Sequence, residues 1–268
     1  MSLWTNKPSL HVCIATPARS GWFSGETRRS HLALQRLLLE NKIECTFPDL
    51  KGEALLPLAR NTLASSALHR NYYSHLCLWD DDVGMAPQHL LEMLRLDKPV
   101  VAVACPRKEI RWENVRAALR RNPATAADRL AGCSGTTTIN FADASSKVVD
   151  FAQPLSVLEV GAGLMLIQMR VLQEMAASCL QDEWYYDRSA GARGQRIYDF
   201  FPLKLDKQAR CYVNEDYAFC RRWRAMGGEV LVLPWIKATH TGNHVYTGNL
   251  LDTLECLMER VEDAGAAD

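Results

Sequence analysis

The sequence predicts an α/β fold, a mostly parallel sheet flanked by helices, with a smaller antiparallel β portion in the second half. Three observations carry this. Through the first half, short apolar runs closed by Pro or Asp alternate with helix-length stretches, the pattern of strands buried on both faces. Residues 136–160 are rich in β-formers with turn residues between them. The 268 residues are 48% apolar and 23% charged, a globular composition with enough chain for one large α/β domain.

The elements follow in order. "LHVCIATPA" (10–18) is a buried strand, and a helix follows from about Thr27 to Lys42 with Leu34, Leu37, Leu38 and Leu39 on a helical period. "IECTFPDL" (43–50) reads as a second strand, and "LARNTLASSALHRNY" (58–72) as a helix. "HLCLWD" (75–80) is a third strand, "PQHLLEMLRL" (87–96) a helix with Pro at its start, and "KPVVAVACP" (98–106) a fourth strand. A basic helical stretch covers Arg111 to Ala131, and "GAGLMLIQMRVLQEM" (161–175) reads as glycine turn, strand and helix. "EDYAFCRRWRAMGG" (215–228) is a helix with acidic residues in its first turn and glycines at its end. "EVLVLPWIKA" (229–238) is a strand and "DTLECLMERVEDAG" (252–265) a closing amphipathic helix. No linker or repeat divides the chain, so one domain, 1–268, is expected.

Formal charge is zero, which excludes bulk attraction to nucleic acid or anionic membrane and leaves only local patches for such contacts. The basic set Arg107, Lys108, Arg111, Arg116, Arg120 and Arg121, with Arg193 and Arg196, is one such patch; it suits a phosphate backbone or simply a solvated helix face. Nine cysteines are scattered without CxxC spacing, which reads as a reducing compartment without a zinc ribbon or disulfide framework. No apolar run approaches the ~20 residues that span a bilayer, and "MSLWTNKPSL" lacks a signal-peptide pattern. A cytoplasmic protein is expected, unless an amphipathic face docks it on a membrane.

Ligands of such sheets bind beyond the carboxyl ends of the strands, where Thr16–Arg19, Asp80–Asp82 and Pro106–Lys108 fall. On an extended strand end Asp80 and Asp82 point to one side and Asp81 to the other. Two carboxylates on one side suit a hard divalent cation; the same triplet also suits a solvated turn, with Asp82 capping the next helix. Glu215 and Asp216 complement a helix dipole or hold a base where a hydroxyl loses its proton. His240 follows a strand directly and His244 lies four residues on. Arg60 and Asn61 stand early in a helix, where Arg can take a phosphate bidentately. Gly161, Ala162 and Gly163 permit close ligand approach or form a tight turn. The aromatics Trp184, Tyr185, Tyr186, Tyr198, Phe200 and Phe201 stack on a sugar or base, or pack the core. Neither a phosphate-binding P-loop nor a GxSxG elbow is present.

Taken in order, "ATPA", "LARNTL", "LWDDDVG", "VVAVACPRKEI", "VGAGLMLI", "YDFF", "NEDYAFCRRWRAMGG" and "ATHTG" resemble GT-A-type glycosyltransferases, nearest to small bacterial and phage-encoded family 2-like members. The resemblance covers roughly residues 10 to 250. It implies a GT-A (Rossmann-like) domain with a nucleotide-binding half at about 1–108, an acceptor and metal half at about 109–250 and a C-terminal helix at 251–268. It further implies a nucleotide-sugar donor (a UDP- or GDP-sugar) and Mn²⁺ or Mg²⁺. Asp82 matches the metal-binding carboxylate, Asp80 a contact to metal or ribose, and His240 the metal-binding His after the last strand. Thr16, Pro17, Ala18 and Arg19, with Arg60, Asn61, Asp80 and Asp81, fall on the donor nucleotide. Glu215 and Asp216 match the ED motif that supplies the base in inverting members. Gly161, Ala162, Gly163, Trp184 and Tyr198 fall on the acceptor and sugar pocket.

Implied acceptors are a glycan, a lipid-linked sugar or a hydroxymethylated DNA base, in a bacterial or phage-infected cytoplasm. A sugar-phosphate nucleotidyltransferase shares the sheet and the acidic residues but normally carries a Gly-rich basic loop after the first strand, of which "TPARSGWFSGE" (16–26) is a poor version. A non-catalytic nucleotide- or sugar-binding module is the third reading.

Overall fold

The computed structural model describes residues 10–141, 150–187, 194–242 and 244–257. In chain order the elements begin β1 (His11–Pro17), α1 (Gly25–Glu40), β2 (Glu44–Thr46), β3 (Asp49–Leu50), α2 (Leu56–Arg70), β4 (His75–Trp79), β5 (Val83–Met85), α3 (Gln88–Leu96) and β6 (Val100–Ala102). They continue with α4 (Trp112–Arg121), α5 (Ala127–Cys133), β7 (Ile139–Phe141), β8 (Leu155–Val160), β9 (Leu164–Gln168) and α6 (Met169–Ala177). The last are β10 (Trp184–Tyr185), β11 (Ile197–Tyr198), β12 (Lys204–Asp206), β13 (Cys211–Val213), α7 (Glu215–Ala225), β14 (Val230–Val232), β15 (Ala238–Thr241), β16 (Val245–Gly248) and α8 (Leu250–Leu257).

The central sheet runs β2-β1-β4-β9-β6-β14-β8-β7, with β3 also on β1. β8 and β9 run against the others, and the sheet is otherwise parallel. The expected mostly parallel sheet with smaller antiparallel parts is therefore present. Its strands alternate between two cores. Cys13, Ala15, Leu76, Leu78, Val100 and Ala102 pack on α2, α6 and α7; Val12, Ile14, Cys77, Trp79, Val101 and Val103 pack on α1 and α3. That is why the strands read as continuous apolar runs: both faces are covered.

Several details depart from the expected elements. The run 43–50 breaks into β2 and β3 around Pro48, which has no N–H for the ladder. The basic stretch 111–131 is two helices, α4 and α5, parted at Asn122-Pro123. β9 inserts antiparallel between β4 and β6, an arrangement no local pattern encodes. Asp82 does not cap α3; that cap position is Pro87, and β5 intervenes. Cys133 is disulfide-bonded, against the reducing compartment expected, whereas Cys13, Cys45, Cys77, Cys105, Cys179, Cys211 and Cys220 are free. Among the described residues no helix is long and apolar enough to cross a membrane. Arg193 and the end of the expected closing helix lie outside the described residues.

Candidate functional site

The site begins where β4 stops. The apolar run ends at the buried Trp79, and Asp80 N–H donates to the Gly163 carbonyl at the start of β9 (2.9 Å). The Val83 carbonyl accepts from the Trp79 indole (2.7 Å) and the Thr27 hydroxyl (2.9 Å), which folds the aspartate triplet into a tight turn. The turn's own carbonyls are taken: Asp81 O by Ser24 N–H and Asp82 O by Thr241 N–H, both at 2.8 Å. β5 then pairs with β15, setting His240 opposite Val83. Gly84 is required in this pairing, since a Cβ there would meet Thr239 Oγ1 at 2.5 Å and Glu26 Cβ at 2.9 Å.

The triplet splits three ways. Asp82 meets His240, with Oδ1 3.2 Å from Nε2, while its other oxygen takes the Lys108 ammonium. These two partners outweigh burial and hold its carboxyl below the usual range. Asp80 pairs instead with Arg60, whose Nη2 lies 3.0 and 3.1 Å from its two oxygens. Asp81 binds neither and is pushed up to about 6 by burial and by its neighbours Asp82 and Asp80.

Arg60, only 2% exposed, is the hub. Its other terminal nitrogen holds Glu215. Burial works against its charge, yet Asp80, Glu215 and Asp216 more than compensate and keep it above the ordinary arginine range. Asp216 is held by backbone donors, Tyr217 N–H at 2.8 Å and Ala162 N–H at 3.3 Å. Burial pushes it up to about 6, with Glu215 adding to the shift and Arg60 opposing it. Gly161 lets the chain pass Thr138 here: a Cβ would stand 2.5 Å from Thr138 Oγ1, with Asp216 Oδ2 at an ordinary contact distance of 3.5 Å. Gly163 likewise faces Asp80, 3.4 Å from Oδ2.

Five carboxylates thus surround two permanent cations, Arg60 and Lys108. Asp82 with His240 suits a divalent ion. His240 Nδ1 lies 2.8 Å from the Pro106 carbonyl, a bond that needs the proton on Nδ1. In a neutral ring Nε2 then presents a lone pair to an Asp82 oxygen, and two acceptors at 3.2 Å call for a cation or a second proton between them. Two cis ligands about 2.1 Å from an octahedral ion stand about 3.0 Å apart, close to this spacing. Among the described residues no three His, Cys, Asp or Glu side chains form a metal-holding cluster. The protein donor set at this point is the pair, because Asp80 is drawn to Arg60.

The other expected residues fall as follows. Thr16, Pro17 and Ala18 are buried at the end of β1, the first and last tied to Pro48 and Leu50 carbonyls, and Arg19 is exposed beside them. Asn61 is fully buried and faces inward: its amide donates to Asp199 Oδ1 (2.8 Å) and accepts from Phe201 N–H (2.7 Å), so it ties α2 to the 199–201 turn rather than facing a ligand. Trp184 and Tyr198 pair across the antiparallel β10 and β11, and β11 seats on α2 through Tyr198 N–H to Ser65 Oγ (2.9 Å). Arg196 covers the Trp184 ring at 4.4 Å. His244 directly precedes β16, and His240 meets Asp82. Lys108 as the partner of Asp82 is what sequence reasoning missed, although its place at the sheet's carboxyl edge was readable.

No family model matches the chain, and no curated protein matches it. Among solved structures, it is similar to A197 from STIV at 15% identity over 90% of this chain and 95% of that one, with a TM-score of 0.44. CMP:2-keto-3-deoxy-manno-octonic acid synthetase complexed with CTP aligns at 12% identity over 84% and 89%, TM-score 0.36. Mouse xyloside xylosyltransferase 1 in its apo form aligns at 11% over 62% and 69%, TM-score 0.24. Likenesses this distant bear on neither substrate nor reaction, which rest on the site's own geometry.

Proposed function

We propose that the protein is a metal-dependent glycosyltransferase that moves a sugar from a nucleotide-sugar donor to an acceptor hydroxyl. The observation that carries this reading is the gathering of Asp80, Asp81, Asp82, Glu215 and Asp216 around Arg60 and Lys108 at the carboxyl end of β4, with His240 Nε2 beside an Asp82 oxygen. The surplus negative charge suits a divalent ion and its diphosphate. Asp82 and His240 would hold Mn²⁺ or Mg²⁺, which supplies charge neutralisation to the leaving diphosphate.

This chain's residues do the rest. Asp216 accepts the proton of the acceptor hydroxyl, held in aim by the Ala162 and Tyr217 amides. Glu215, spent on Arg60, positions that guanidinium and is not the base. Arg60 in turn fixes Asp80 beside the donor. Thr16, Pro17, Ala18 and Arg19 wall the nucleotide from the end of β1.

The decisive experiment is a panel of UDP- and GDP-sugars, with and without Mn²⁺, followed by product analysis. Mn²⁺-dependent release of nucleoside diphosphate is expected. Release of pyrophosphate would make the protein a nucleotidyltransferase, and binding without turnover of any donor would make it a non-catalytic module.

A further inference from the structure

The segment 107–121 concentrates charge as no other part of this site does. Arg107, Lys108, Arg111, Arg116, Arg120 and Arg121 stand against Glu109 and Glu113 alone, four net positive charges in 15 residues of a chain that is neutral overall. Its helix, α4, buries a single residue, Ala118, and leans on α5 and α8. At 100° per residue, Leu119, Trp112, Arg116, Arg120 and Glu113 fall on consecutive positions of the face opposite Ala118, two arginines against one acid. That face is outward: Trp112 is 69% exposed and Leu119 37%, and Arg116 and Arg120 are exposed; Ile110, two residues before the helix, is 36% exposed.

We infer that this face of α4 docks the protein on an anionic lipid surface. The composition decides between polyanions. A duplex phosphate backbone rewards the arginines but gives Ile110 and Leu119 nothing, since its surface is hydrated and charged. A bilayer interface rewards both: the indole and aliphatic groups enter the headgroup boundary while the arginines meet lipid phosphates. The face also leads directly to the site. Lys108, which holds Asp82, and Arg107, beside Tyr217, open the segment that runs into α4. A membrane bound at α4 is thereby joined through this short segment to the residues that hold Asp82 and Tyr217. The docking itself does not depend on the proposed transfer reaction.

The test is co-sedimentation of the whole protein with phosphatidylcholine vesicles, with and without phosphatidylglycerol, in the absence of nucleotide sugar. Binding to the anionic vesicles only is expected. It should fade between about 0.1 and 1 M salt, as the Debye length falls from about 10 to about 3 Å. Trp112→Ser, and separately Arg116→Glu with Arg120→Glu, should each weaken it, the charge reversal by about tenfold or more. All of these positions are exposed, so both variants should keep the wild-type circular dichroism and melting temperature. Equal binding to neutral and anionic vesicles, wild-type binding by both variants, or capture of duplex DNA but not vesicles would each overturn the inference.

Discussion

At the scale of single residues, the site is a set of competing charges. Lys108 and a divalent cation seek the same Asp82 oxygens. Lys108→Ala should therefore tighten Mn²⁺ binding several-fold in calorimetry, and Asp82→Asn should abolish it; unchanged affinity in both would remove Asp82 from the metal's ligands. Asp216, pushed up to about 6, gives a signed pH dependence. As a base it must be ionised, so turnover should fall as pH drops through about 6. Stability runs the other way. The folded state holds the Asp216 proton more tightly than the unfolded chain, so its contribution is favourable at low pH and is lost as pH rises from about 4 to about 6. Asp216→Asn should accordingly melt above wild type at pH 7.5 while losing transfer and keeping donor binding. Arg60→Ala strands Asp80 and Glu215 without their cation, and urea unfolding should register a loss of about 3–5 kcal/mol.

At the scale of elements, the site depends on how β5 and β15 meet. Their pairing is the ladder that sets His240 beside the aspartate turn. Gly84 permits it, because Thr239 and Glu26 leave no room for a Cβ. Gly84→Ala should cost about 1–3 kcal/mol, the usual range for overpacking. Because the strain falls on the ladder, it should also weaken Mn²⁺ binding, which an equally destabilising core substitution on α6, such as Met175→Ala, would not. The two readouts, urea unfolding and calorimetry, separate a local displacement from general loss of stability.

At the scale of the whole molecule, the functional groups are drawn from distant parts of the chain onto one edge of the sheet. Arg60 comes from α2, Asp82 from the turn between β4 and β5, Lys108 from beyond β6, Asp216 from the start of α7 and His240 from β15. Their joint ligand therefore bridges elements that pack separately. Nucleoside diphosphate with Mn²⁺ at about 100 times its Kd should add about 2.7 kcal/mol to stability. At about 2–4 °C per kcal/mol, the melting temperature should rise by roughly 5–10 °C, with a much smaller rise for either ligand alone.

Much of this was legible in the chain. Runs such as "HVCIATP" and "HLCLW" are apolar at every position because both sheet faces are covered, so the sequence by itself determined that these are buried strands of a layered α/β fold. Likewise, aspartates at a strand's carboxyl end and acids in the first turn of α7 mark sites of charge through local rules of strand and helix. What those charges touch was decided only in three dimensions. The antiparallel entry of β9 between β4 and β6 brought Gly163 to Asp80, and the β5–β15 ladder brought His240 to Asp82. Asn61, polar and near Arg60 in sequence, proved a buried tie to the 199–201 turn. Periodicity reports which face of an element is buried. Pairing between distant strands, and the choice of ion partner that burial enforces, arise from contacts to which local sequence carries no pointer.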